Sequence, residues 1–199
     1  MKKMAKNIGP NSEQLSPIEK RGACLYAQDV ILTDHILKEL FSVFEKGEWE
    51  KSKKLSQKEA TKVMKEVVNY IYFETVKQIW EYQEGGLPEN DARKVLDAVS
   101  SLFYEGHHID NLREKLEEYR SVENPIYSVS RNILRIVRGK DIDIAELSEI
   151  SIIILDITIH YLFTGIRRMF EVSEEEMNGL IENFFVNYYP NLQSCLQKE

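Results

Sequence analysis

The chain has 199 residues, of which 43% are apolar and 30% charged, with only 9 glycines and 5 prolines. This length is sufficient for one domain with a buried core, and the composition excludes a collagen-like or disordered chain. Acidic residues outnumber basic ones by 33 to 26, and the formal net charge is −7. Because an acidic surface repels a phosphate backbone, general binding to nucleic acid is disfavoured.

The N-terminal sequence and the cysteines bear on the cellular compartment. The basic start at residues 1–6 is followed by no apolar run, so we expect no signal peptide. Cys24 and Cys195 are too few for a disulfide scaffold, and we expect both to be small buried hydrophobic residues. We therefore expect a cytoplasmic protein with residues 1–15 as a loosely attached segment and residues 16–199 as a single all-helical domain.

Capping residues divide the chain into successive helices. Ser16-Pro17 predicts a first helix that runs to about Gly47, with Gly22 or Thr33-Asp34 as points where it could be interrupted. Similar signals predict further helix starts near Ser56, Pro88, Asn111, Asn124, Asp143 and Ser173. The fold class predicted is all-α, a single-domain bundle of six to seven helices.

The sixth predicted helix, about residues 143–172, is the most apolar segment. Residues 150–163 are rich in β-branched side chains, which also suit a strand. We predict a helix, because the segment has a helix cap and helical length and no partner strand is visible. Since it is apolar nearly all round, we expect it to be a central helix contacted on several sides.

A line of polar residues runs along this helix. Helical geometry places Glu149, Asp156, His160 and Arg167 on one side. Ser151, Thr158 and Gly165 fall on the opposite side. The polar line is explained either as a solvent-facing edge with an Asp156–His160 pair or as the lining of a cavity that binds a polar ligand. A membrane span is disfavoured, because the run is short and Asp156 and His160 lie near its middle.

Two adjacent histidines, His107 and His108, are the candidate metal ligands. They lie between Glu105 and Asp110, but a dedicated site needs three or four ligands in fixed geometry. A di-iron bundle would require two Glu-x-x-His pairs, and this spacing occurs only once, from Glu105 to His108. An exposed turn between helices is the simpler interpretation, and we expect no metal and no other cofactor.

Motifs for catalysis are absent from the sequence. There is no Gly-x-Ser-x-Gly, and Gly85-Gly86 lacks the following Lys-Ser/Thr of a phosphate-binding loop. No catalytic residue is therefore assigned, and an enzyme is not the favoured class.

Two segments are candidates for binding a partner. Arg131, Arg135 and Arg138 recur on one side of the fifth helix, where they form either a solvated face or a docking site for an acidic partner. Phe184, Phe185 and Tyr188 belong to an aromatic C-terminal segment that either packs into the protein's own core or associates with a second copy.

The leading hypothesis is a non-enzymatic interaction or regulatory domain that acts by association, as a homodimer or with another protein. A small-molecule sensor with a pocket beside residues 143–172 is the first alternative. A metal-dependent helical enzyme is the second. Nucleic acid and membrane are not expected as partners.

Overall fold

The computed structural model describes residues 15–46, 54–107, 112–139 and 142–188, with the side chains of 46, 105–107, 160–170 and 186–188 outside the description. The described residues are helical throughout, with short connections and no strand. The helices are α1 (Pro17–Lys46), α2 (Gln57–Glu84), α3 (Glu89–His107), α4 (Leu112–Arg120), α5 (Pro125–Arg138), α6 (Ile144–Glu171) and α7 (Glu174–Glu182). A π-helical segment, Asn183–Tyr188, continues α7. The all-α prediction is confirmed, including for the β-branched stretch in α6.

Capping side chains explain where several helices begin. The Ser56 and Ser173 hydroxyls each accept a hydrogen bond from the backbone N–H three residues later, and a glutamate side chain returns to the cap in both cases. The Asn124 side chain accepts from the backbone N–H of Tyr127, and Pro125 occupies the first turn of α5. These local bonds satisfy N–H groups that have no partner within the helix.

Helix α1 is continuous through both positions where an interruption was considered. Gly22 is buried, and a Cβ built on it would lie 2.6 Å from the Cβ of Ala98 in α3. Thr33 stays within the helix because its hydroxyl donates to the carbonyl of Asp29 at 2.8 Å. Gly22 is therefore a point of close helix approach and not a helix break.

Helices α1 and α2 form the centre of the bundle. Helix α1 packs against α2, α3, α6 and α7, and α2 packs against α1, α3, α4, α5 and α6. Aromatic rings fill the space between these two helices and α3. Tyr26 meets Phe103 edge to face with ring centroids 5.2 Å apart, and Phe103 meets Tyr72 at the same distance. The core is thus built around the first two long helices.

Helix α7 closes the bundle against the start of α1. The buried ammonium of Lys20 lies 2.6 Å from a carboxylate oxygen of Glu174. The Cys24 thiol donates to the backbone carbonyl of Met177 at 3.7 Å. Residues near the two ends of the described chain therefore hold one corner of the fold together.

Helix α6 packs against α1, α2 and α5 and leaves one face toward solvent. Leu147, Ile150 and Ile154 are buried, whereas Ile152, Leu155 and Ile159 are exposed. The expectation that α6 is contacted on several sides agrees with this packing, although its apolar residues exceed what the core takes up. In the part of the chain that the structure describes, neither α6 nor another helix has the length and apolarity needed to cross a bilayer.

Candidate functional site

The polar line of α6 lies at its solvent side as far as the side chains are described. Glu149 and Asp156 are both exposed. The side chains of His160 and Arg167 lie outside the described residues, so the pairing of Asp156 with His160 stays a prediction. On the opposite side, Thr158 is buried. The half-buried Ser151 hydroxyl donates to the carbonyl of Leu147 at 2.8 Å.

A groove separates α6 from α1, and Asp156 lies in it. The groove has a volume of about 490 Å³ and opens to solvent. Its lining residues are His35, Lys38, Glu39, Ile152, Ile153, Asp156 and Ile157. The Lys38 ammonium lies 2.6 Å from a carboxylate oxygen of Asp34. Glu39 and Asp156, which also line the groove, give it an acidic character.

A second groove separates α6 from α5. It has a volume of about 380 Å³ and is lined by Asn124, Ile126, Tyr127, Ser148, Ser151, Ile152 and Leu155. Tyr127 is 49% exposed there. Since Ile152 lines both grooves, α6 stands between them as a ridge.

The crest of this ridge is apolar. Ile152 is 63% exposed, Ile159 is 47% exposed and Leu155 is 39% exposed. We call these three side chains the outer face of α6. Single exposed aliphatic residues are ordinary, but three that share one helix face beside an exposed tyrosine form a patch typical of protein contacts.

The three arginines of α5 do not all have the same surroundings. Arg131 and Arg135 are exposed, whereas Arg138 is half-buried and lies 3.3 Å from a carboxylate oxygen of Glu146 in α6. Arg138 therefore joins α5 to α6. Arg131 and Arg135 are exposed basic residues on a helix without acids, because no acidic residue occurs between Pro125 and Lys140.

The aromatic C-terminal segment contributes to the protein's own core. Phe184 is buried and meets Tyr26 with ring centroids 6.3 Å apart. Phe185 is half-buried and stacks on Tyr26 at 6.4 Å. The side chain of Tyr188 lies outside the described residues. Contact of this segment with a partner stays a prediction.

A polar cluster that the sequence interpretation did not anticipate joins α2, α4 and α5. The half-buried carboxylate of Glu66 accepts from the Tyr119 hydroxyl at 3.1 Å and from the Asn132 amide at 3.2 Å. Lys115 lies 3.1 Å from Glu66 and 2.9 Å from Glu118. Burial lowers the pKa of Lys115, but the pairs with Glu118 and Glu66 outweigh burial and raise it overall.

Tyr119 is the apolar anchor of this cluster. Its side chain is fully buried, and its ring packs against Tyr70 and Phe73 with centroids 6.1 Å and 5.6 Å away. Burial and the neighbouring Glu66 carboxylate raise the pKa of its hydroxyl, so the group stays a hydrogen-bond donor. Because all the ligating atoms are engaged with one another, the cluster fastens helices together and offers no open site.

Asp29 is a buried carboxyl in the middle of α1. It is 1% exposed and accepts from the Thr75 hydroxyl of α2 at 2.8 Å. Burial raises the pKa of Asp29 well above its usual range, although the Thr75 hydrogen bond opposes this. The folded protein therefore holds this proton more tightly than the unfolded chain does.

We expect Asp29→Asn to change how stability depends on pH. In the unfolded chain an aspartate has a pKa of about 4. Above that pH, Asp29 reduces the stability of the native protein by up to about 1.4 kcal/mol per pH unit until its folded pKa is reached. The Asn variant lacks this loss, so its advantage in the free energy of unfolding should grow as the pH rises from 4.

Urea unfolding of both proteins between pH 4 and pH 8 measures this difference. Asp97→Asn is the matched control, because Asp97 is exposed on α3. We expect the control to change the free energy of unfolding by no more than about 0.5 kcal/mol. A pH-independent difference for Asp29→Asn would refute the raised pKa of Asp29.

Spacing in the sequence carried a signal for both Asp29 and Glu66. Asp29 lies four residues after Leu25 and three before Leu32, on the apolar side of α1. Glu66 lies three residues after Val63 and four before Tyr70 on α2. An acid at a core position of an amphipathic helix predicts a buried hydrogen-bonded group, because an unpaired one would be too costly.

The metal hypothesis gains no support from the described residues, which contain no group of three or more His, Cys, Asp and Glu side chains suited to hold an ion. His108 and the side chain of His107 lie outside them. No protein-family model, curated protein or solved structure matches this chain.

Proposed function

We propose that this protein is a non-catalytic helical interaction domain whose contact surface is the outer face of α6. The observation that carries the proposal is the exposure of Ile152, Leu155 and Ile159 on one helix face beside Tyr127. Complete burial of a large aliphatic side chain is worth about 1.5–3 kcal/mol, and each of these partly exposed side chains forgoes a share of it. A partner surface that covers the face recovers part of that free energy.

The surroundings of the face match the anatomy of a protein contact. An apolar centre is bordered by the exposed acids Glu149 and Asp156 on the α1 side and by the exposed Arg131 on the α5 side. Protein interfaces commonly combine an apolar centre with a polar rim that determines specificity and orientation.

The ligand-sensor alternative stays a prediction with weaker support. A small-molecule pocket generally encloses most of its ligand, whereas the groove that contains Asp156 is open to solvent along α1 and α6. The open groove and the apolar ridge together favour a macromolecular partner.

Site-specific photo-crosslinking in the native host tests the proposal. A photo-reactive amino acid at Ile152 should give a covalent adduct, and adding Leu155→Glu should abolish it. The same probe at Tyr104 of α3, which is 59% exposed, is the matched control and should give none. Equal labelling from both positions, or none from position 152, would contradict the assignment of this face.

A further inference from the structure

We infer that the partner of the outer face is a second copy of this chain, joined through α6 packed in parallel on α6. The inference rests on the proposed function and specifies its occupant and geometry. Two independent features point to it. One is the order of side chains along α6, and the other is the distribution of charge on its two flanks.

The exposed residues of α6 follow a seven-residue repeat. Ile152 and Ile159 are seven residues apart, and Leu155 lies three residues after the first of them. In coiled-coil notation these are positions a, d and a. The same spacing recurs in the sequence at Leu162, Ile166 and Met169, whose side chains lie outside the described residues.

This choice of residues favours a pair of helices. In parallel coiled coils, isoleucine at a with leucine at d favours two strands over other numbers of strands. Helix α6 has 28 residues and is therefore about 42 Å long, enough for the repeat to run over several turns. Its other side is already packed on α1, α2 and α5, and the described residues leave the side of Ile152, Leu155 and Ile159 uncovered.

The flanking helices give α6 two flanks of opposite charge. Tyr127 of α5 lines one groove with Ser151 and Leu155 of α6, whereas Arg138 lies 3.3 Å from Glu146, so α5 runs antiparallel to α6. Arg131 and Arg135 fall between these two points, alongside the stretch of α6 that contains Glu149. On the α1 flank, Glu39 and Asp156 are exposed acids at the groove.

Symmetry determines which flanks meet in a dimer. A two-fold axis parallel to α6 brings α5 of each copy opposite α1 of the other, so the arginines face the acidic flank. A two-fold axis perpendicular to α6 would make the two copies of α6 antiparallel. It would place α5 opposite α5 and the acidic flank opposite the acidic flank. Like charges opposed at an interface disfavour association, so the charges select the parallel arrangement.

Sedimentation of the purified full chain tests the second copy. We expect a species of twice 23.3 kDa that dissociates on dilution and weakens as salt is added. Ile152→Glu should raise the dissociation constant about 30-fold or more, since it puts a charge at the centre of the seam. Tyr104→Glu, at an exposed position of α3, should leave it unchanged.

Cysteine crosslinking tests the orientation. Ile152→Cys and Ile159→Cys are made separately in a Cys195→Ser background and treated with a short bis-maleimide. Burial raises the pKa of the native Cys24 to about 12, so that thiol stays protonated and unreactive. Both variants should form crosslinked dimers, because a parallel pair brings every a position next to its own copy.

The outcomes separate this inference from the proposed function. Crosslinking at only one of the two positions would indicate an antiparallel pair, and a dimer with no crosslink would indicate another interface; either overturns the inference. A monomer at all concentrations also overturns it. If the probe at Ile152 still labels a different protein, the proposed function survives. If the probe labels the chain's own residues 1–14, both the proposed function and the inference of a second copy are refuted.

Discussion

Gly22→Val is expected to lower the free energy of unfolding by about 3 kcal/mol. The backbone of α1 approaches α3 so closely at this position that even a Cβ would lie 2.6 Å from Ala98 and 3.2 Å from the carbonyl oxygen of Val95. Neither atom belongs to a flexible side chain, so the helices themselves must separate. For a chain of this size the change corresponds to a fall of about 6–12 °C in Tm, measured by circular dichroism.

Two further variants isolate the steric cause. Gly22→Ala should lower the free energy of unfolding less than Gly22→Val does. Ala98→Gly combined with Gly22→Val should recover part of the lost stability, because it removes the Cβ that the new side chain contacts. Gly179→Ala is the control, since nothing lies within 4 Å of a Cβ there. It should stabilise α7 by about 0.5–1 kcal/mol through helix propensity alone. Equal effects at positions 22 and 179 would show that the close approach is not present in solution.

Glu66→Ala is expected to lower the free energy of unfolding by about 2–3 kcal/mol. The variant leaves the hydroxyl of the fully buried Tyr119 without its acceptor and removes one of the two acids that pair with Lys115. Denaturant unfolding at neutral pH measures the loss. Because the cluster joins α4 to α2 and α5, hydrogen exchange should quicken first in α4.

Matched variants separate the charge from the hydrogen bonds. Glu66→Gln keeps an acceptor for Tyr119 and should cost less than alanine. Tyr119→Phe keeps the ring contacts and should cost about 1 kcal/mol. Glu114→Ala on the exposed side of α4 should have little effect. A loss at Glu66 no larger than at Glu114 would mean that the cluster does not hold α4 in place.

Local chemistry explains why the helices were predictable. Ser56, Asn124 and Ser173 each satisfy backbone N–H groups within three residues of themselves, so the start of a helix is encoded where it occurs. The helical state of α6 has a different cause, because its packing against three neighbouring helices outweighs the strand preference of its β-branched residues. Helix boundaries in the structure agree with the predicted ones to within a few residues.

The tertiary polar contacts were not predictable in the same way. Glu66 meets residues 49, 53 and 66 positions further along the chain, and helix order gives no rule for which helices become neighbours. The side of α6 that faces water was also undetermined, because almost every side of it is apolar. Only the packing of α1 and α5 on either flank shows which isoleucines remain outside.

The contact between Lys20 and Glu174 has a consequence for biosynthesis. The two residues are 154 positions apart, and ribosomes add about 5–20 residues per second, so roughly 8–30 s pass between their syntheses. During that interval the flank of α1 that receives α6 and α7 has no native neighbour, while α2 and α3 are already available. Nascent chains of this protein should therefore bind holdase chaperones until α7 emerges from the exit tunnel.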